Sequence, residues 1–185
     1  LMRTANAALL ELFDGTGLRV RRVRGEGAAW GKLLINLANA LCALTHSTFH
    51  DAVNNTDLKT CFLATLDEAV AVLDASKAPY RLPGSMPYPV YRRLLRHTPS
   101  VALRASAFHR TASPHAYPSM VADMLAGRIT EVDQLNGEIS RLGELCHVAT
   151  PVNDQITRMV QAREGRTPAA FLSPAELRQS LTAVG

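Results

Sequence analysis

Between residues 28 and 45 the chain reads Ala28-Ala29-Trp30-Gly31-Lys32-Leu33-Leu34-Ile35-Asn36-Leu37-Ala38-Asn39-Ala40-Leu41-Cys42-Ala43-Leu44-Thr45. Apolar residues dominate this run and no proline interrupts it, so it reads as one long helix that should be buried on most of its surface. At about 100° per residue, Lys32, Asn36 and Asn39 fall near 0°, 40° and −20°, on one narrow face, and His46 follows two turns on near −40°. Burying an amide without a partner costs about 1–3 kcal/mol, so this row must meet solvent, protein partners or a ligand. Two explanations stand. The row is the solvated face of an amphipathic helix, or it lines a binding site. A solvated face ordinarily carries Glu, Lys and Arg, whereas this one presents asparagine with a single lysine and no acid.

Helical patterns extend outward from this run. Residues 4–13 read as a helix that ends at Asp14-Gly15-Thr16-Gly17, and Leu18 to Val23 then alternates in strand fashion. A second long helix is predicted over Thr56 to Lys77, with Leu58, Cys61, Phe62, Leu66, Ala69, Val70 and Leu73 on one core-facing stripe. Its polar face carries Lys59, Asp67, Glu68 and Asp74. The proline-rich stretch 78–118 predicts loop, with short helices near 89–96 and 100–109. It reads either as the rim of a site or as a long connection. A helix from Met120 to Ala126 should stop at Gly127. Another should run from Thr130, paired in a capping box with Asp133, to Cys146, with Val132, Leu135, Ile139, Leu142 and Leu145 inward. Thr150-Pro151 and Ser173-Pro174 each read as an N-cap followed by proline at the first helical position. The fold class is therefore all-α, a multi-helix domain of six to eight helices with at most one strand.

The 185 residues are 47% hydrophobic, 19% charged and 5% aromatic, which suits one globular domain and argues against disorder. The nearest approach to a membrane span is Leu33 to Leu44, too short and carrying Asn36 and Asn39, so no membrane association is expected. No secretory pattern is visible after Leu1-Met2-Arg3, which makes a cytoplasmic location the expectation. Cys42, Cys61 and Cys146 are odd in number and far apart, as buried free thiols are. The six histidines form no HxxxH or HExxH spacing, so no metal is expected. Net charge is +4, with arginine clusters at Arg19, Arg21, Arg22 and Arg24 and at Arg92, Arg93, Arg96 and Arg104. Aromatic residues that would stack bases are scarce, which weighs against nucleic acid and leaves a phosphorylated cofactor or plain solvation to account for the charge.

A second informative segment runs Pro118-Ser119-Met120-Val121-Ala122-Asp123-Met124-Leu125-Ala126-Gly127-Arg128-Ile129-Thr130-Glu131-Val132-Asp133-Gln134-Leu135-Asn136-Gly137. Taken singly, Ser119 is a helix cap, Glu131 a first-turn acid, and Gly137 a sign that a neighbouring helix or ligand comes close. Taken together, WxKLLxNxxN, then PSMxxDxxxGRxTExDxLNG, then Thr150-Pro151-Val152-Asn153 resemble the C-terminal domain of the ketopantoate reductase (2-dehydropantoate 2-reductase) family over about residues 1–163. That resemblance implies a helical domain of the 6-phosphogluconate dehydrogenase C-terminal type. It would close over an N-terminal Rossmann domain that binds NADP and is absent from this chain.

By the same resemblance, Lys32 is the lysine that protonates the ketone oxygen as hydride arrives from nicotinamide, and Glu131 is the acid that interacts with it and with a substrate hydroxyl. Asn36 and Ser119 are substrate-binding, Ser119 at the carboxylate. The family commonly places a second asparagine four residues after the first. Here that position is Ala40, and Asn39, which stays on the Lys32 face, stands in, a departure that bears on which 2-oxo acid is taken. The residue types suit the chemistry, because a lysine ammonium stabilises and protonates a developing alkoxide. Arg24-Gly25-Glu26-Gly27-Ala28-Ala29-Trp30-Gly31 lacks the spacing and the βαβ setting of a pyrophosphate turn and reads as a loop feeding the helix. The expected organisation is the end of an interdomain segment over 1–25 and a substrate-binding, catalytic domain over 26–185. Expected partners are a small 2-oxo acid, the Rossmann half, and a second copy of the chain in a homodimer. A non-catalytic helical dimerisation module is the competing reading, with the helices at 56–77, 130–146 and 151–163 as its contact surfaces.

Overall fold

The computed structural model describes residues 27–97, 116–166 and 169–184. Helices α1 (Ala28–Asn36) and α2 (Ala38–Thr45) abut at Leu37, whose backbone stays helical at φ −57° and ψ −25°. Together they make the long helix expected from the sequence. Only Gly31 and Leu34 of α1 are buried, whereas all of α2 is. By length and composition the window Ala28–Thr45 is apolar enough to cross a bilayer, which the uninterrupted run Leu33 to Leu44 did not suggest. Of that window 61% is buried inside the fold, the behaviour of a core helix.

Helix α3 (Phe49–Asn54) starts in a capping box. The Thr48 hydroxyl accepts the Asp51 N–H, and Asp51 Oδ2 accepts the Thr48 N–H at 2.8 Å. Asn55 then caps α4 (Thr56–Ala75), on which every residue of the expected stripe is buried. Helices α2 and α3, together with the helices at Pro151–Gln161 and Pro174–Thr182, all pack on α4 or on each other, so α2 and α4 form the centre of the bundle. Phe62, Leu66 and Leu73 of α4 meet Leu37, Leu41 and Leu44 in one fully buried cluster. Burial of such a side chain stabilises the fold by about 1.5–3 kcal/mol. Helix α5 (Tyr88–His97) falls where a short helix near 89–96 was expected, and a bidentate bond from Arg92 to Asp67, at 2.7 and 2.8 Å, ties it to α4. The remaining helices are α6 (Ser119–Leu125), α7 (Asn136–Cys146), α8 (Pro151–Gln161) and α9 (Pro174–Thr182). The described residues contain no strand, so the fold is all-α. The expected elements at 4–13, 18–23 and 100–109 lie outside the described residues.

A buried polar node joins three of these helices. Glu68 of α4 accepts the Val152 and Asn153 backbone N–H groups at 2.8 and 2.9 Å, capping α8 from 84 residues away in sequence. The Asn153 amide donates to Glu68 Oε2 and to the Thr65 carbonyl, and its Oδ1 accepts from Asn136 at the start of α7. Thr150, the expected cap of α8, makes no capping bond and donates to Asp154 instead. Ser173 does cap α9, in a capping box with Glu176.

Four further expectations are corrected. The helix predicted from Thr130 begins only at Asn136, because residues 131–135 form turns. Thr130 is not paired with Asp133: its N–H and hydroxyl both donate to Glu164, while Asp133 accepts from Gln161. Leu145 points outward at 65% exposure. Gly137 meets nothing tighter than ordinary contact, and the close approaches fall at Gly31 and Gly143 instead. A Cβ at Gly31 would lie 1.9 Å from the Arg81 carbonyl oxygen, and one at Gly143 would lie 2.8 Å from that of Val148.

Candidate active site

Lys32 stands exposed on the second turn of α1, in the row that helical spacing predicts. Asn36 ends α1 and is half-buried, and Asn39, in the first turn of α2, is only 5% exposed. The row therefore runs from solvent into the core within seven residues. His46, at its far end, takes the left-handed conformation (φ 50°, ψ 47°) at the C-terminus of α2. Its ring stacks on both Tyr117 and Phe171, with centroids 5.0 and 4.8 Å away. These contacts make it an aromatic fastener between chain segments.

Helix α6 packs alongside α2 and presents Ser119 at its exposed first position. After α6, Gly127 at φ +63° turns the chain back, and the Arg128 guanidinium grips Asp123 at 2.7 and 3.0 Å. Thr130 and Val132 are buried on either side of Glu131, which leaves the Glu131 carboxylate on the outer side of the turn. There the Asn39 side-chain amide donates to Glu131 Oε1 at 3.4 Å. The two sequence segments singled out above thus meet, 92 residues apart, through Asn39 and Glu131. Lys32, Asn36 and Ser119 enter no side-chain hydrogen bond with one another among the described residues.

With its amide nitrogen committed to a carboxylate, Asn39 turns its Oδ1 to a buried position where no donor reaches it among the described residues. Such an acceptor costs about 1–3 kcal/mol unless a donor arrives. Of the five candidate residues, Asn39 and Glu131 are the pair joined by a side-chain hydrogen bond among the described residues; an ammonium, a hydroxyl and a carboxylate are the group types that binding and protonating a polar carbonyl compound require.

Gly27 and Gly31 do not form a pyrophosphate cradle. The Gly27 carbonyl accepts N–H groups from Gly31 and Arg81, and both glycines lie against the backbone of residues 79–81. Their lack of a side chain serves the packing of α1 on that segment; Arg24, Gly25 and Glu26, the rest of the stretch read as a loop, lie outside the described residues. Glu68, Gln161 and Glu164, which carry much of the local architecture, gave no signal in the sequence. Each is one charged or polar residue on a helix surface or, for Glu164, in the turn that follows one, and only long-range folding supplies its partner.

Residues 25–164 match the family model described as ketopantoate reductase PanE/ApbA C terminal. The 2-dehydropantoate 2-reductase of Pyrobaculum aerophilum is 31% identical over 163 residues, covering 87% of this chain and 52% of the relative. That of Aquifex aeolicus is 32% identical over 136 residues, covering 72% and 39%. Among solved structures, the PanE/ApbA family ketopantoate reductase from Ralstonia eutropha superposes with a TM-score of 0.64 at 26% identity, covering 84% of this chain and 47% of that one. D-mandelate dehydrogenase with NADH and anilino(oxo)acetate shares the fold at 22% identity and a TM-score of 0.66, covering 98% and 52%. The chain spans about half the length of the curated relatives it matches.

Proposed function

The chain belongs to the ketopantoate reductase family, matching its C-terminal domain, and from that premise we propose that it is the substrate-binding and catalytic half of an NADP-dependent reductase of a small 2-oxo acid, with ketopantoate as substrate and pantoate as product. The observation that carries this reading is the Asn39–Glu131 contact, which joins the lysine-bearing helix to the segment of Ser119 and Glu131. In this reading a nicotinamide cofactor, bound by a dinucleotide-binding domain of the family's kind, would supply the hydride.

Every other role falls to residues of this chain. Lys32 donates a proton from Nζ to the ketone oxygen as negative charge develops there, and its charge stabilises that oxygen beforehand. Ser119 and Asn36 orient the substrate through neutral hydrogen bonds that do not compete for the transferred proton. Glu131 accepts from a substrate hydroxyl, and the unpaired Asn39 Oδ1 gives that end of the site a second acceptor. The exposure of Lys32, Ser119 and Glu131 fits a site whose remaining wall comes from another domain. A second copy of the chain is a further proposed partner, because the Staphylococcus aureus ketopantoate reductase that shares this fold is described as dimeric.

The test is to join the chain to the dinucleotide-binding domain of a relative and follow NADPH oxidation with ketopantoate. Turnover that is lost on Lys32→Ala, with helix content unchanged, is the expected result. Turnover that survives Lys32→Ala undiminished would remove the catalytic assignment.

A further inference from the structure

We infer that Glu164, in the turn after α8, is a positioning residue that sets the Glu131 carboxylate in place by clamping the backbone on which it rides. This rests on the reading of Glu131 as the acid of the site. The direct hold on Glu131 is weak. Its bond from Asn39 is 3.4 Å long, beyond the usual range of an N–H···O bond, so it cannot by itself fix an exposed glutamate.

The turn beneath it is held far more tightly. Glu164 Oε1 accepts both the Thr130 N–H at 2.9 Å and the Thr130 hydroxyl at 2.7 Å. The same hydroxyl oxygen accepts the Val132 N–H at 3.2 Å. One carboxylate oxygen therefore organises the residues on both sides of Glu131. Gln161, one turn earlier, donates to Asp133 at 2.7 Å and secures the next step of the chain. Thr130 and Val132 are 8% and 1% exposed, so neither can rotate outward, and Glu131 is left with the outer side alone. Bonds to an ionised acceptor are among the stronger hydrogen bonds, which makes this clamp and not the long Asn39 contact the element that decides where Glu131 stands.

The experiment compares Glu164→Gln, which keeps an acceptor oxygen, with Glu164→Ala, which does not. In the chain as it stands, NMR follows amide exchange at Thr130 and Val132 and the titration of the Glu131 carboxyl carbon. Glu164→Ala should speed exchange at both amides and move the Glu131 titration, and Glu164→Gln, which keeps an acceptor oxygen but not its charge, should recover part of both. In the chain joined to a dinucleotide-binding domain, Glu164→Ala should lower kcat about 10- to 100-fold, the scale of a misplaced reacting group. That loss should shrink to nothing in a Glu131→Gln background.

A wild-type Glu131 titration and wild-type exchange in Glu164→Ala would overturn the proposal, as would a kcat loss that persists in full beside Glu131→Gln. Should Glu164→Ala unfold the chain, Thr130→Val against Thr130→Ser asks the same question through the hydroxyl. If Glu131→Gln itself leaves turnover unchanged, the role of Glu131 in the proposed function fails, and the exchange and titration results still decide the clamp.

Discussion

Asn39 of α2 donates its side-chain amide to the Glu131 carboxylate at 3.4 Å and buries its own Oδ1 beside it without a donor among the described residues. Asn54 and Asn136 also leave a buried Oδ1 without a donor among the described residues, so the unpaired oxygen does not by itself tell a binding group from a structural one. If Asn39 binds substrate as proposed, stability and activity should separate when it is changed.

Asn39→Leu removes the unpaired oxygen and keeps the volume. The melting temperature of the chain should stay level or rise, since replacing an unsatisfied buried polar group by an apolar one of similar shape is neutral or stabilising. Turnover of 2-oxo acid by the joined enzyme should fall in the same variant. A calorimetric melt several degrees below wild type would instead make Asn39 a structural residue.

Two neighbouring acids on α4 should give opposite pH dependences. Burial pushes the Glu68 carboxyl above its ordinary value, although the N–H groups of Asn153 and Val152 oppose it. Its stabilising contribution is full below the ordinary glutamate range and declines as pH rises through the raised folded value. Burial also raises Asp67, but hydrogen bonds from Arg92 and Tyr88 outweigh it and hold the carboxyl below its ordinary value. Its contribution is present above the ordinary aspartate range and is lost as pH falls through the lowered folded value. Urea midpoints measured from pH 7 into the acid range should show the acid-side loss weakened in Asp67→Asn. An Asp67→Asn curve parallel to wild type would contradict this.

Removing the Glu68 carboxylate at neutral pH should be costly for another reason. Glu68→Ala leaves two backbone N–H groups at the start of α8 and the Asn153 amide short of an acceptor. A loss of about 1–3 kcal/mol is expected, the scale of unpaired buried donors. Glu68→Gln, which retains one acceptor oxygen, should lose less. Denaturant unfolding of the two variants measures the difference.

Glycines 31 and 137 should respond oppositely to alanine. Gly31→Ala drives a methyl to within 1.9 Å of the Arg81 carbonyl oxygen, so α1 or the 79–81 segment must move, at an overpacking cost of about 1–3 kcal/mol. Gly137→Ala meets nothing closer than 3.6 Å near the start of α7 and should stabilise the chain by up to about 1 kcal/mol. Thermal melts of both variants decide the matter, and a destabilised Gly137→Ala would show a constraint that the packing does not explain.

The three thiols should react unequally. Burial pushes Cys42 up to about 12 and Cys61 up to about 11, which leaves almost no thiolate at either near neutral pH. Cys146 is half-buried. Native labelling with a thiol reagent at pH 8 should therefore modify Cys146 alone, and all three should label once the chain is denatured. Mass spectrometry of digested protein reads the sites directly, and prompt native labelling of Cys42 would place the α2 core open to solvent.

Local pattern was enough for much of this fold. The spacing of Leu58, Cys61, Phe62, Leu66, Ala69, Val70 and Leu73 determined the buried face of α4, because a helix repeats every 3.6 residues whatever surrounds it. The same geometry put Lys32, Asn36 and Asn39 in one row, and Ser173-Pro174 marked the start of α9 through capping chemistry that acts over three residues. Where partners lie far apart in sequence, pattern fell short. Thr130 reads as the cap of a helix with Asp133, yet a charged acceptor on Glu164, 34 residues on, takes both its donors, and the helix waits until Asn136. Thr150 reads as a cap, yet Glu68 does the capping. Sequence alone determined which residues are polar, which faces are apolar and where the two long helices run, while the short helix α3 and the start of α7 were not legible in it. Only tertiary packing decided which polar groups meet, because a hydrogen bond depends on position to a fraction of an ångström and those positions are set by elements folded together from distant parts of the chain.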